Sequence, residues 1–353
     1  MKRKVLSVLL TVTMAAAMLF TGCGGANSGT TEDSDAAGSD ATTQADDTTA
    51  QGDDATEDTQ AADAGSDTAS TEKITIGYSV KTLSDTYMQF LKSGIDAQVA
   101  ELGTIDLQVA DAQMDLNTQL SQAEDFISKG VDVLLFCPQD ADACTPIVEA
   151  AIAANIPIVE VCTNTNDGKY DAFVGSNDVD AGEMLGDFVM EKLPDGGNIL
   201  IMEGIMGQSS QIFRYEGLQN TILADSKYNL LECKTANWQR DEAMALVEDW
   251  LVKYPEIDAI ICENDDMAMG ALEACEAANR KEDIIIIGVD GNQDNIQAVL
   301  DGRLEASILQ NGPEQGSTAI DICVKLANGE SVDKEYMIPF KLITQENAGE
   351  FLN

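Results

Sequence analysis

Polar and aromatic side chains recur directly behind short apolar runs in this sequence. Ser84, Asp85, Thr86 and Tyr87 follow the first run, and Cys137-Pro138-Gln139-Asp140 and Cys162-Thr163-Asn164 follow later ones. In the second half, Gly207-Gln208-Ser209-Ser210 leads toward Arg214, and Trp238 closes Thr235-Ala236-Asn237. Asn264-Asp265-Asp266, Asp290 and Gln310-Asn311 each stand at the end of a further apolar run. Planar amides, carboxylates and a guanidinium can donate to and accept from adjacent hydroxyls, often in pairs. An aromatic face covers the apolar C–H face of a ring. The set therefore suits a neutral polyhydroxylated small molecule. Each residue also has a plain structural reading: Ser84 or Asp85 can cap the first helix, Asp290 a later one, and Trp238 can be ordinary packing. Repeated placement at run ends favours binding.

Catalysis finds less support. The carboxylates of Asp85 and Asp290 could do acid–base work. The chain has no histidine, which removes the commonest general base and metal ligand. It has no nucleophile elbow, P-loop or dinucleotide fingerprint. No CxxC spacing supports zinc. No catalytic residue, metal or cofactor is expected.

The elements that would position these residues alternate. Strands are expected at residues 74–80, 107–110, 131–136, 156–161, 172–175, 198–203, 230–235, 259–262, 284–289 and 306–309. Many are nearly continuous apolar runs, as parallel strands covered on both faces require. Met88, Leu91, Ile95, Val99 and Leu102 recur three or four apart on one helical face, as do Leu120, Ala123, Phe126 and Ile127, and Leu185, Phe188, Val189 and Leu193. The fold class is therefore α/β, with two similar doubly wound parallel-sheet lobes of about five strands each. Ligands of such sheets bind beyond the carboxyl ends of the strands. Two facing lobes would make an interdomain cleft.

The N-terminus reads as an export signal. Lys2, Arg3 and Lys4 precede an apolar stretch too short for a comfortable membrane span. It ends in Phe20-Thr21-Gly22-Cys23, which resembles the bacterial lipobox, where cleavage before the cysteine leaves it lipidated. Residues 1–22 would be removed, and acyl chains on Cys23 would hold the protein at a membrane surface. Between residues 24 and 72 stand 13 acidic residues and no Lys or Arg. Such a stretch cannot bury enough apolar surface to order itself, so residues 23–72 read as an anchor and flexible tether reaching roughly 40 Å or more. The whole chain carries a formal charge of −42, which argues against nucleic acid as a partner. Beyond Cys23, the seven cysteines Cys137, Cys144, Cys162, Cys233, Cys262, Cys275 and Cys323 are an odd count, contrary to a full disulfide framework. Cys137 and Cys162 end strands expected to be neighbours, so their sulfurs should lie close.

At these residues the chain resembles the type I periplasmic sugar-binding proteins, the ribose and glucose/galactose group of ABC importer receptors. The resemblance spans residues 73–353. It is carried by Arg214-Tyr215-Glu216-Gly217, by Glu263-Asn264-Asp265-Asp266-Met267-Ala268-Met269-Gly270-Ala271 and by Gly288-Val289-Asp290-Gly291. Thr235-Ala236-Asn237-Trp238 and Asp85-Thr86-Tyr87-Met88 lean toward the glucose/galactose branch, and Gln310 toward the ribose branch. The resemblance implies that Arg214, Asn264, Asp290 and Gln310 bond ligand hydroxyls and that Trp238 stacks on the ring. Asp85 would accept a hydroxyl proton, and Tyr87 would supply the opposite aromatic wall. Cys137, Cys162, Thr163, Asn164 and Ser210 are further candidates. Cys162-Thr163 departs from the family, which usually offers a carboxylate or amide followed by a basic residue. Cys137 stands where the ribose branch has an asparagine.

The implied fold has three crossings between lobes: residues 73–176 with 311–338 form one, and 177–310 with 339–353 the other. The implied protein is a monomer that closes on a monosaccharide, hexose favoured, and delivers it to ABC permease subunits. Two alternatives stay open: a sensory receptor of the same fold, and a cyclitol or nucleoside ligand. If Cys23 is lipidated, Cys23→Ser should lose metabolic labelling by a fatty-acid analogue; equal labelling of the variant contradicts the anchor.

Overall fold

The computed structural model describes residues 73–352. The expected signal segment, Cys23 and the acidic tether lie outside them. The described chain builds two six-stranded sheets. The first contains β1 (Ile74–Val80), β2 (Ile105–Asp111), β3 (Val133–Cys137), β4 (Ile158–Val161), β5 (Ala172–Gly175) and β11 (Glu335–Met337), in the order β2-β1-β3-β4-β5-β11. The second contains β6 (Gly197–Glu203), β7 (Tyr228–Thr235), β8 (Ala259–Cys262), β9 (Ile285–Asp290), β10 (Ala306–Leu309) and β12 (Lys341–Thr344), in the order β7-β6-β8-β9-β10-β12. The two orders are the same. All pairs are parallel except β10 with β12.

Helices cover both faces of each sheet. On the first, α1 (Thr86–Leu102) packs against α9 (Gly312–Ala327) on one side, and α2 (Leu116–Lys129) with α3 (Thr145–Ala154) covers the other. On the second, α4 (Asp178–Lys192) and α5 (Ser209–Asn220) form one layer. The helices α6 (Arg240–Lys253), α7 (Asp265–Ala277) and α8 (Gln293–Leu300) form the other. Central strands such as Val-Leu-Leu-Phe-Cys in β3 are buried at every residue, which is why they read as unbroken apolar runs. The chain passes from one sheet to the other after β5, β10 and β11.

Two short strands escape the sequence pattern. Glu335-Tyr336-Met337 and Lys341-Leu342-Ile343-Thr344 are edge strands of three and four residues with exposed members. Neither length nor hydrophobicity marks such strands; their pairing is set by the sheets already in place.

Glycine fixes one helix contact that matters for the cleft. A Cβ on Gly182 would lie 2.0 Å from the Arg214 carbonyl oxygen, and one on Gly217 would lie 2.2 Å from that of Val179. The backbones of α4 and α5 therefore touch, and the first turns of α4 are held beside Arg214 and Gly217 of α5.

Glu160 lies in the centre of β4 with no exposed surface. Burial pushes its carboxyl up to about 8, against the pull of the Thr165 amide and hydroxyl. The Thr165 amide reaches Oε2 at 2.8 Å, and its hydroxyl lies 2.8 Å from Oε1 and 3.0 Å from Asp167 Oδ1. A protonated Glu160 can donate to that hydroxyl, which passes its own proton to Asp167. A carboxyl raised in the folded state binds its proton longer than in the unfolded chain. Its contribution is fully present below the ordinary glutamate range and is lost as pH rises toward 8. We expect Glu160→Gln to flatten the fall in unfolding free energy between pH 4.5 and 8, measured by denaturant titration. Equal slopes in both proteins would refute a neutral Glu160.

Candidate functional site

The carboxyl edges of both sheets open onto one cavity. From the first lobe, the cavity is lined by Lys81 just beyond β1, by Asp85, Tyr87 and Met88 at the start of α1, and by Cys162 just beyond β4. From the second lobe come Ser210 and Arg214 on α5, Trp238 beyond β7, Asn264 before α7, Asp290 ending β9 and Gln310 beyond β10.

Arg214 is the hub of the second-lobe wall. It is only 3% exposed. Its Nε donates to Asp178 Oδ1 at 2.9 Å, Nη2 donates to Gln310 Oε1 at 2.8 Å, and Nη1 donates to the Glu263 carbonyl. The guanidinium carbon lies 5.7 Å from the Trp238 ring centroid. One side chain thus ties α4, the ends of β8 and β10, and the indole together. Gln310 Nε2 is buried and finds no partner among the described residues. On the cavity wall, it is a donor available to a ligand.

Trp238 is positioned by backbone as much as by packing. It sits at φ 65°, after Asn237 at φ 53°. Its indole lies against Gly204, where any Cβ would fall within 2 Å of the ring. The indole N–H donates to Gln208 Oε1 at 3.1 Å. Asn264 caps α7 by accepting from the Met267 amide at 2.9 Å, and its amide donates to the Trp238 carbonyl at 3.3 Å. Asp290 has φ 136°, a strained value for a residue with a side chain. The buried Asp265 carboxylate braces the turn, accepting from the amides of Gly291 and Asn292 at 2.9 Å each. Burial and the Asp265 charge push the Asp290 carboxyl well up, while Arg214 opposes them.

In the first lobe, Asp85 does cap α1, accepting from the Met88 amide at 3.1 Å. It lines the cavity as well. Burial raises its carboxyl, and Lys81 pulls it back. The Tyr87 hydroxyl donates to Gln315 Oε1 at 2.8 Å, which fixes the ring. Lys81 reaches across the cleft and donates to Gln208 Oε1 at 2.9 Å. The Ala141 amide donates to the Gly207 carbonyl at 3.0 Å, and the Asn164 amide to Ser209 Oγ at 3.0 Å. These three bonds cross between the lobes.

The seven principal sequence candidates, Asp85, Tyr87, Arg214, Trp238, Asn264, Asp290 and Gln310, all line this cavity, as do Cys162 and Ser210. Cys137, Thr163 and Asn164 lie behind or beside it. Cys137 is fully buried, the Thr163 hydroxyl donates to the Pro138 carbonyl at 2.7 Å, and Asn164 bonds Ser209 and the Tyr170 hydroxyl. Sequence reasoning missed Lys81 and Met88. Lys81 stands at the same position after β1 that marks the other candidates after their strands, and that rule could have found it.

The Periplasmic binding protein domain model matches residues 76–331. This chain belongs to that family. The ribose import binding protein of Bacillus subtilis is 34% identical over 281 residues, covering 80% of this chain and 90% of the relative. A putative rhizopine-binding protein of Rhizobium meliloti is 34% identical over 286 residues, covering 78% and 92%. Among solved structures, an ABC transporter solute-binding protein from Bacillus halodurans with bound myo-inositol aligns with TM-score 0.77 and 33% identity. It covers 80% of this chain and 99% of that one. The family is one of extracytoplasmic, non-enzymatic binding components of transport.

Removing Arg214 should strand the Asp178 carboxylate, which is 4% exposed. Breaking a buried pair this way costs roughly 3–5 kcal/mol. Arg214→Ala should therefore lose stability on that scale in denaturant unfolding, and adding Asp178→Asn should recover part of it. Additive losses in the double variant contradict the hub.

Proposed function

We propose that this chain is the lipid-anchored receptor of an ABC importer and closes on one neutral monosaccharide or cyclitol. The carrying observation is the make-up of the cavity. It brings two cations (Lys81, Arg214), two carboxyl groups (Asp85, Asp290), two amides (Asn264, Gln310) and two aromatic rings (Tyr87, Trp238) together. Arg214 already has its counter-charge in Asp178, so the second-lobe wall needs none from a ligand. The amides and carboxyls are spaced around the cavity to read hydroxyl groups, and the rings offer faces to an apolar C–H surface. The residues assigned to binding are Asp85, Tyr87, Arg214, Trp238, Asn264, Asp290 and Gln310, with Lys81 and Ser210 beside them.

Cross-lobe bonds from Lys81, Ala141 and Asn164 support closure as the working motion. The three strand-to-strand passages supply the hinge, between a first lobe of residues 73–176 with 311–338 and a second of 177–310 with 339–353. A ligand that touches both lobes favours the closed form by its differential affinity for it. The permease would then read closure. The tether beyond Cys23 would keep the receptor at the membrane while allowing it to reach that permease. The relatives named for ribose and rhizopine, and the solved structure with bound myo-inositol, support a sugar or cyclitol over a nucleoside.

A thermal-shift screen against ribose, allose, galactose, glucose, xylitol and myo-inositol tests the reading, because a ligand of the folded form alone raises its apparent stability. One of these should give a clear shift. Calorimetry should then find Trp238→Ala weaker by about 1–3 kcal/mol for every ring ligand alike, and Asp85→Ala altered in its ranking among epimers. A nucleoside or amino acid as sole binder would falsify the sugar assignment.

A further inference from the structure

Two cysteines meet at the floor of the first-lobe wall. Cys137 is the last residue of β3, Cys162 follows the last residue of β4, and these strands are paired neighbours. The register sets Phe136 opposite Glu160, which leaves Cys137 and Cys162 one step out of alignment. Adjacent strands lie about 4.8 Å apart with a rise near 3.3 Å, so such residues have Cα atoms about 6 Å apart. Disulfides bridge about 4.4–6.8 Å. Each thiol lies close enough to act on the ionisation of the other.

Their surroundings favour reactivity. Cys162 lines the cavity, at a left-handed φ of 69° that turns it off the strand. Cys137 Sγ lies 3.5 Å from Thr163 Oγ1. The Lys81 ammonium interacts with both sulfurs, and among the described residues it makes no ion pair within 4.0 Å. Burial alone would raise Cys137, but the Cys162 hydrogen bond, Lys81 and Thr163 together pull its thiol down to about 6. Burial pushes the other five described cysteines up instead. A thiolate beside an ammonium, with a second thiol on the neighbouring strand and an opening to solvent through the cleft, is the arrangement of reactive rather than structural cysteines.

We propose that Cys137 and Cys162 are a modification site that reacts with small disulfides entering the open cleft, and that their oxidation blocks ligand capture. The pair holds one proton. It passes to Cys137, and the Cys162 thiolate attacks one sulfur of the disulfide RSSR. A Cys162–SR bond forms as the R–S⁻ leaving group departs. That thiolate takes the proton from Cys137, whose thiolate then displaces the second R–S⁻ and closes the Cys137–Cys162 bond. The two cysteines are oxidised, and the disulfide is reduced to one thiol and one thiolate, which solvent protonates. Oxidation removes the Cys162 thiol from the cavity wall and leaves Lys81 without its thiolate, so closure around a ligand is disfavoured. The effect on capture rests on the cleft being the ligand site; the thiol chemistry does not.

Purified full-length protein is incubated with bis(2-hydroxyethyl) disulfide, without sugar, and digested under acid for tandem mass spectrometry. A linked Cys137–Cys162 peptide is expected. Cys137→Ser should stop at a mixed disulfide on Cys162, and Cys162→Ser should leave Cys137 unmodified. Lys81→Met should slow the reaction by about tenfold or more through loss of the stabilised thiolate, whereas Lys92→Met should not. The thermal shift given by the best sugar of the screen should vanish on oxidation and return with dithiothreitol. No linked peptide, or earlier modification of Cys233, overturns the proposal. A sugar shift that survives complete crosslinking overturns the block on capture. Crosslinking in a protein that answers to no sugar sinks the sugar reading and leaves the thiol pair standing.

Discussion

A guanidinium buried to 3% exposure cannot be left to itself, and the second lobe is organised around satisfying Arg214. Three of its five N–H donors go to a carboxylate from α4, a carbonyl at the end of β8 and an amide beyond β10. Those partners come from separate segments of the sequence, so they meet only when the sheet is complete. The contact of α4 with α5 through Gly182 and Gly217 brings Asp178 within reach. In return, Arg214 fixes the side chain of Gln310 by taking its oxygen and leaving its nitrogen toward the cavity. A site that reads hydroxyl groups needs its amides held in one orientation, and this charge supplies that restraint.

Strain and burial in the rest of the wall are tolerated because that frame exists. Asp290 at φ 136° and Trp238 at φ 65° are backbone positions that ordinary residues avoid. Asp265 and Asn264 hold the two turns from the start of α7. Asp265 pays with its own ionisation: burial pushes it up to about 7, despite hydrogen bonds from two amides and the Ser307 hydroxyl. A single helix start therefore positions both an aromatic face and a carboxyl group.

Much of this was legible in the sequence for a local reason. Parallel strands buried on both faces write unbroken apolar runs, and a side chain that follows such a run must emerge at the sheet edge. That is why Asp85, Trp238, Asn264, Asp290 and Gln310 could be picked without coordinates. The α/β reading came from the same alternation. What was not legible depended on tertiary partners. The edge strands Glu335–Met337 and Lys341–Thr344 have too few apolar residues to signal pairing. Gln208 stood in the polar stretch leading toward Arg214, but nothing in that stretch showed that its oxygen accepts hydrogen bonds from both Lys81 and Trp238. Thr163 and Asn164 obeyed the strand-end rule but turned away, because the left-handed Cys162 redirects the chain immediately after β4.

That turn also bears on how the first lobe compensates for its departure from the family pattern. The sequence offers Cys162-Thr163 at the end of β4, where a carboxylate or amide and a basic residue are usual, so this edge supplies no charge of its own. Lys81 supplies the cation from the end of β1 instead. β1 and β4 both flank β3, so a side chain as long as lysine can serve the same side of the cavity from either. The exchange has an electrostatic cost, since burial disfavours a charged lysine. The two thiols, Asp85 and the amide oxygen of Gln208 offset it. Cysteine at the ends of β3 and β4 is then not a mere loss of hydrogen-bonding groups. It is the polarizable, ionisable surface against which a relocated lysine can be buried.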